Sequence, residues 1–267
     1  METRATRIGL WTWTALVVLF LYAPIAIIVV YAFNESNIQS WPIEGFTTKW
    51  FSSTWHNQEV RDALLLSLKA ALYATGIALV LGSAGAFAVS RFKFFGREAI
   101  SFVFVLPLAL PGIITGMALN SYFVTAGWPF TFGLRTIVIG HATFCVVIIY
   151  NNVIARLRRT SPSLVEASMD LGADGWQTFR FVTFPVISTA LVSGALLAFA
   201  LSFDEVIVTT FTAGAQNTLP LWIFGKIRLG QQLPQVNVVV AVIIALTIVP
   251  VYLAQRLSRE SGILRRE

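Results

Sequence analysis

The 267-residue chain is predicted to be an all-α polytopic membrane protein with six transmembrane helices. Three observations predict it: 56% of the residues are hydrophobic, only 12% are charged, and the apolar residues gather into long runs. The mean hydropathy is +0.74. A soluble domain of this length has too little interior to hide so much apolar surface. Helices joined by short loops use the length well.

The runs cover 10–33, 63–90, 99–124, 135–155, 186–212 and 236–257. Each exceeds the roughly 20 residues that cross ~30 Å of hydrocarbon as a helix. The first follows Arg4 and Arg7 and so resembles a signal peptide. It is too long for one and no small-x-small cleavage site follows, so it is read as a retained span. The second run carries Gly76, Gly82 and Gly85, and the third a G-x-x-x-G pair, Gly112 and Gly116. Small residues let helix backbones approach closely in lipid. Pro107 and Pro111 should bend the third span. A bend frees carbonyls that can line a cavity, or it merely kinks a packing helix; both readings are open.

Six spans put both termini on one side. Of the 19 Lys and Arg, 13 fall in the tails and the loops on that side: Arg4, Arg7, Arg91, Lys93, Arg97, Arg156, Arg158, Arg159, Arg180, Arg256, Arg259, Arg265 and Arg266. Five fall opposite: Lys49, Arg61, Arg135, Lys226 and Arg228. The positive-inside rule then makes both termini cytoplasmic. Topology thus accounts for the net charge of +6 without nucleic acid. The lone Cys145 sits in an apolar run and reads as a small buried hydrophobe, excluding an internal disulfide. His56 and His141 stand far apart, and no metal-binding cluster is visible. The first external loop carries Trp41, Trp50, Phe51 and Trp55, read as an interfacial aromatic belt in preference to a short surface helix.

The segment at about 160–185 is too structured for a simple loop. Ser163 with Glu166 offers a capping box, and residues 164–171 should form a helix ended by Gly172. Trp176, Phe179, Arg180 and Val182 recur at helical spacing, and Pro185 then opens the fifth span. A short exposed helix with acidic and apolar residues can seat in a partner's groove, or it can seal this face of the protein.

The spacing here resembles the EAA loop of inner-membrane permease subunits of binding-protein-dependent ABC importers. That pattern is Glu-Ala-Ala, three residues, Gly, nine residues, Ile, any residue, Leu-Pro. This chain has Glu166-Ala167-Ser168, Gly172, then Val182 and Phe184-Pro185 at the same spacing. Ser168, Val182 and Phe184 are conservative departures. The resemblance covers essentially the whole chain. It implies type I ABC importer permease architecture, with residues 1–267 as one transmembrane permease domain. It also implies a coupling helix at about 163–173, including Glu166, Ala167, Ser168, Asp170, Leu171, Gly172 and Ala173, docked on an ATPase subunit.

Catalytic motifs are missing. There is no phosphate-binding Gly-x4-Gly-Lys-Ser/Thr, no Ser-His-Asp set and no His-Glu-x-x-His. The chain is therefore read as a non-catalytic permease that binds no cofactor of its own; by the resemblance, ATP and magnesium belong to a separate ATPase. Asp204 and Glu205 interrupt an otherwise uncharged stretch. Adjacent helical residues point about 100° apart, which makes a poor acid/base pair. Charge inside a membrane is costly and usually faces a water-filled path or a partner, so two carboxylates suit a cationic solute. Alternatively the helix breaks at Ser202 and leaves both at the interface, or they pair with Lys226 or Arg228.

The run from Ser202 to Thr209, then Thr218-Leu219-Pro220, looks like the fifth-span signature of spermidine/putrescine-type permeases. Arg91-Phe92-Lys93-Phe94 and Leu106-Pro107 fit the same group. Trp222 is a candidate for cation–π contact near the path. The resemblance implies a sister permease, two ATPase subunits and an extracytoplasmic solute-binding protein in a bacterial inner membrane. Alternatives are another amine, opine, amino-acid derivative or phosphonate as solute, a secondary transporter, or a membrane-bound enzyme.

Overall fold

The computed structural model describes residues 3–127 and 131–247. Their regular structure is helical, apart from an isolated antiparallel bridge between Asn34 and Phe46. The chain divides into two compact units, Arg61–Trp222 and Met1–Val60 with Ile223–Glu267. Four helical stretches among the described residues are long and apolar enough to cross a bilayer: Thr6–Tyr31, Gln58–Arg91, Leu134–Arg159 and Gly175–Asp204. A bent pair, Arg97–Pro107 with Gly112–Thr125, brings the number to five if it is counted as one broken span. The sixth expected span, 236–257, is described only within the helix Leu233–Thr247; the remainder, with Arg256, Arg259, Arg265 and Arg266, lies outside the described residues.

In the unit made of the two chain ends, α1 (Arg4–Tyr31) begins on Thr3, whose hydroxyl accepts the Thr6 N–H. Its apolar window is wholly exposed. In water that would be untenable, but lipid or another membrane subunit covers such a surface. The aromatic loop is not a simple belt. Residues Lys49–His56 form helix α2. The Trp50 indole donates to the Asn34 carbonyl (2.9 Å), and Phe51 packs on Phe33. Trp50 and Phe51 are thereby used in local packing, while Trp41 and Trp55 stay exposed. Lys226 pairs with Glu59 at 2.8 Å.

The other unit is built around α6 (Leu134–Arg159). Ile137, His141, Cys145, Ile149 and Val153 recur every four residues on one face of this helix and are fully buried. Ala74, Ala78 and Ala86 of α3 (Gln58–Arg91) join this core. Close approach is literal at Gly82, where a Cβ would lie 2.8 Å from the Val146 carbonyl oxygen. Gly76 has no such neighbour among the described residues.

The third span is interrupted more sharply than a kink. It divides into α4 (Arg97–Ala109) and α5 (Gly112–Thr125), which meet at 99°. Leu110 is extended at φ −83°, ψ 135°, as the residue before a proline must be, and this ends α4. Phe104 of α4 stacks on Tyr150 of α6, and the Tyr150 hydroxyl donates to Ser101 (2.9 Å).

The fifth span starts earlier than residue 186 and stops before 212. Helix α7 (Ser163–Asp170) is followed by α8 (Gly175–Thr178), a π-helical turn at Phe179–Thr183 and α9 (Phe184–Asp204). The last three run together as one helical rod. Pro185 has no N–H and its ring crowds the carbonyl four residues back. A widened turn immediately before it accommodates both demands. Beyond Asp204 the backbone leaves the helix at Glu205 and resumes as α10 (Ile207–Thr212). Helix α11 (Leu219–Leu229) then starts on a Leu219 N–H donated to Ser67 (2.8 Å).

Candidate functional site

Two short polar elements in the unit around α6 carry the candidate residues. The first is α7. The sequence suggested a cap on Ser163, but helix formation starts at Ser163 itself, with Pro162 at the N-cap position. The Ser163 N–H is instead taken by the Ser161 hydroxyl (3.3 Å), so the Ser163–Glu166 capping box does not form. Proline's preset φ near −65° favours this earlier start. A capping box does form at the start of α8, unanticipated. Asp174 accepts the Gln177 N–H at 2.8 Å, and the Gln177 side chain accepts the Asp174 N–H at 2.9 Å. The Asp-x-x-Gln spacing was there to be read.

The other end of α7 is closed by two crossed bonds. Ala173 N–H reaches the Ser168 carbonyl (3.0 Å) and Gly172 N–H the Met169 carbonyl (2.9 Å). This is a Schellman closure, and Gly172 sits at φ +84°, where a side chain is disfavoured. Val165 is buried and Ser168 half-buried, whereas Leu164, Glu166, Ala167, Met169, Asp170 and Leu171 are exposed. Leu171 is 89% exposed. Ser168, where the EAA pattern has alanine, bonds Thr178 of α8 at 2.8 Å. The segment is tied inward as well: Arg91 of α3 donates to Thr183 (3.3 Å), and Arg156 of α6 donates to the Val186 carbonyl (2.9 Å). The result is a braced helix offering a mixed acidic and apolar face.

The second element is the break between α9 and α10. Its two carboxylates are not equivalent. Glu205 is half-buried and accepts the Val208 N–H at 2.9 Å, so it caps α10. Asp204 is exposed and has no hydrogen-bond or ion-pair partner among the described residues. The C-terminal end of α10 is braced by α6 and α5: Thr136 donates to the Thr212 carbonyl (2.6 Å) and Asn120 to the Phe211 carbonyl (2.7 Å). His141, fully buried on α6, bonds Ser202 through Nδ1 (2.8 Å) and Thr209 through Nε2 (2.9 Å). Sequence reasoning passed over His141, because a lone histidine in an apolar run gives no local sign of its partners. Trp222 is 4% exposed, so its ring is largely covered by protein.

A braced surface helix between spans and an uncapped carboxylate at a helix break fit a transport protein, and comparison with known proteins agrees. The family described as "Binding-protein-dependent transport system inner membrane component" matches residues 75–260. The chain belongs to this family. It is thus an inner-membrane permease component, and such subunits are not catalytic. Among its relatives is the putrescine transport system permease protein PotI of Escherichia coli K12, 36% identical over 232 residues, 84% of this chain and 82% of that one. The spermidine/putrescine transport system permease protein PotC of Haemophilus influenzae is 31% identical over 245 residues, covering 91% and 93%. The fold matches that of a bacterial ABC transporter involved in alginate import, with a TM-score of 0.67 at 17% identity, covering 97% of this chain and 98% of that one. An amino acid ABC transporter matches with a TM-score of 0.60 at 15% identity, covering 80% and 100%.

Proposed function

We propose that this chain is the permease subunit of an ATP-driven importer that carries spermidine, putrescine or a related polyamine into the cytoplasm. The relatives' polyamine substrates support the reading, and so does Asp204, an exposed carboxylate without a partner among the described residues, which suits a flexible polycation. Residues 1–267 act as one permease domain with both termini cytoplasmic, in keeping with the distribution of basic residues. The working complex contains a sister permease, two ATPase subunits that hold ATP and magnesium, and an extracytoplasmic solute-binding protein. The exposed face of α7 docks on an ATPase, with Glu166, Ala167, Asp170 and Leu171 outward and Ser168, Gly172 and Ala173 setting its shape.

The rod from Gly175 to Asp204 gives this scheme a physical link. At 1.5 Å per residue it is about 45 Å long. One end adjoins the docking helix and the other carries Asp204. When ATP closes the ATPases, a push on α7 moves the rod as a lever and shifts the carboxylate relative to its surroundings. Trp222, mostly covered, supports an aromatic contact with solute only if the rod's motion uncovers it.

Radiolabelled spermidine and putrescine uptake tests the proposal in cells expressing the complete transporter, with wild-type or Glu166→Ala permease. ATP-dependent polyamine uptake that is lost in the variant, with unchanged membrane levels, is the expected result. Absence of polyamine uptake by a fully assembled wild-type complex overturns the substrate assignment. Full uptake by Glu166→Ala overturns the docking role.

A further inference from the structure

His141 is the one buried imidazole in the unit around α6 among the described residues, and both of its nitrogens are engaged. Its partners lie on opposite sides of the break: Ser202 in the last turn of α9 and Thr209 in α10. The hydroxyls are themselves buried, Ser202 at 2% exposure and Thr209 at 0%. Thr209 donates its single proton to the Glu205 carbonyl at 2.6 Å. It can therefore only accept from the ring, which puts the imidazole proton on Nε2. With Nε2 protonated in a neutral ring, Nδ1 accepts from the Ser202 hydroxyl. One directed chain thus runs from Ser202 through the ring to Thr209 and on to the backbone of Glu205, beside Asp204.

Helix ends leave backbone groups without partners, and a break inside a span leaves two sets of them. Here the chain from His141, with the Glu205 cap, holds both stumps in one relative orientation. Asp204 is the last residue of α9, so the direction of its carboxylate depends on that orientation. We infer that His141 is a positioning residue for Asp204, a neutral clamp that keeps the broken fifth span in the geometry that presents the carboxylate to a passing cation. The inference rests on the polyamine-path reading above.

The test uses the complete transporter in proteoliposomes with its binding protein, measuring spermidine uptake and ATP hydrolysis together. Thr209→Val removes one end of the clamp and Ser202→Ala the other. Each is expected to cut uptake about tenfold while ATP hydrolysis stays within about twofold, because an interaction that guides solute is distinct from one that couples nucleotide. Thr209→Ser keeps the hydroxyl and is expected to restore uptake. In an Asp204→Asn background, Thr209→Val should cause no further loss, the non-additivity expected of groups acting through one another. Equal losses in both backgrounds, or parallel loss of uptake and ATP hydrolysis in correctly assembled complexes, overturn the clamp. Loss in Asp204→Asn with full uptake by both Thr209→Val and Ser202→Ala also overturns the clamp but leaves the path reading standing. Full uptake by Asp204→Asn overturns the path reading and, with it, the role assigned to His141.

Discussion

Helix α7 and the break after α9 are both short polar interruptions of an apolar chain, yet they are held in opposite ways. Helix α7 is shaped by its sequence neighbours. Ser161 takes its first N–H, Gly172 turns the chain, and Thr178 ties Ser168 down from ten residues away. The break is shaped from a distance: His141 is 61 residues from Ser202 and 68 from Thr209. Local bracing leaves one face of α7 free for a partner. Long-range bracing at the break leaves the carboxylate of Asp204 exposed. On the proposed reading, a coupling element pushed from outside needs a stiff outline and an open face, while a path for a cation needs a fixed charge.

The largest expected effect strikes the local element. Gly172→Asp places a side chain at φ +84°, a left-handed conformation that costs most non-glycine residues about 1–2 kcal/mol and Asp or Asn less. It also adds negative charge at the C-terminal end of α7, where the helix dipole is unfavourable to it. Uptake is expected to fall at least about twentyfold with membrane levels unchanged, whereas Gly172→Asn, which tolerates the left-handed region, should keep most of it. Normal uptake by Gly172→Asp would mean that the closure of α7 does not matter for coupling.

Next comes the contrast inside the break. Asp204→Asn should lower polyamine uptake about tenfold, since it removes charge from an exposed group without disturbing a cap. Glu205→Gln should lower it less than about threefold, because its amide oxygen still accepts the Val208 N–H. Uptake assays on the two variants side by side check the division of labour. A larger loss in Glu205→Gln would reverse the roles assigned here.

Two smaller changes sharpen the account of α7 and α8. Asp174→Ala removes the capping box with Gln177 and should destabilise the segment by about 1 kcal/mol. Ser168→Ala removes the bond to Thr178, at a cost of about 0.5–1.5 kcal/mol. Both are read as shifts of a few degrees in the melting of the purified complex. If Ser168→Ala melts later than wild type, the hydroxyl pair is a strain and not a brace.

Much of the helical outline was legible because its causes are local. Long apolar runs announce spans, Pro111 forces Leu110 out of the helix, and Gly172 marks a helix end whatever surrounds it. The errors came where two local signals competed. Ser163 with Glu166 looked like a capping box, but Pro162 favoured an earlier start, and the box formed at Asp174 and Gln177 instead. Pro185 looked like the start of a span, yet a π turn lets the helix run through it. The aromatic loop after α1 was read as a belt because composition alone does not reveal that Trp50 meets the Asn34 carbonyl.

What the sequence determined by itself is the class of the molecule, its apolar spans and the spacing of its EAA-like segment. Each follows from the order of residues over one or two helical turns or over one bilayer thickness. Only the tertiary structure decided which carboxylate caps a helix and which stays exposed, and that His141 lies across the break. The second outcome depends on hydrogen bonds between residues some sixty positions apart, and a buried polar group accepts whichever partner the packing of α6 against α9 and α10 brings within reach.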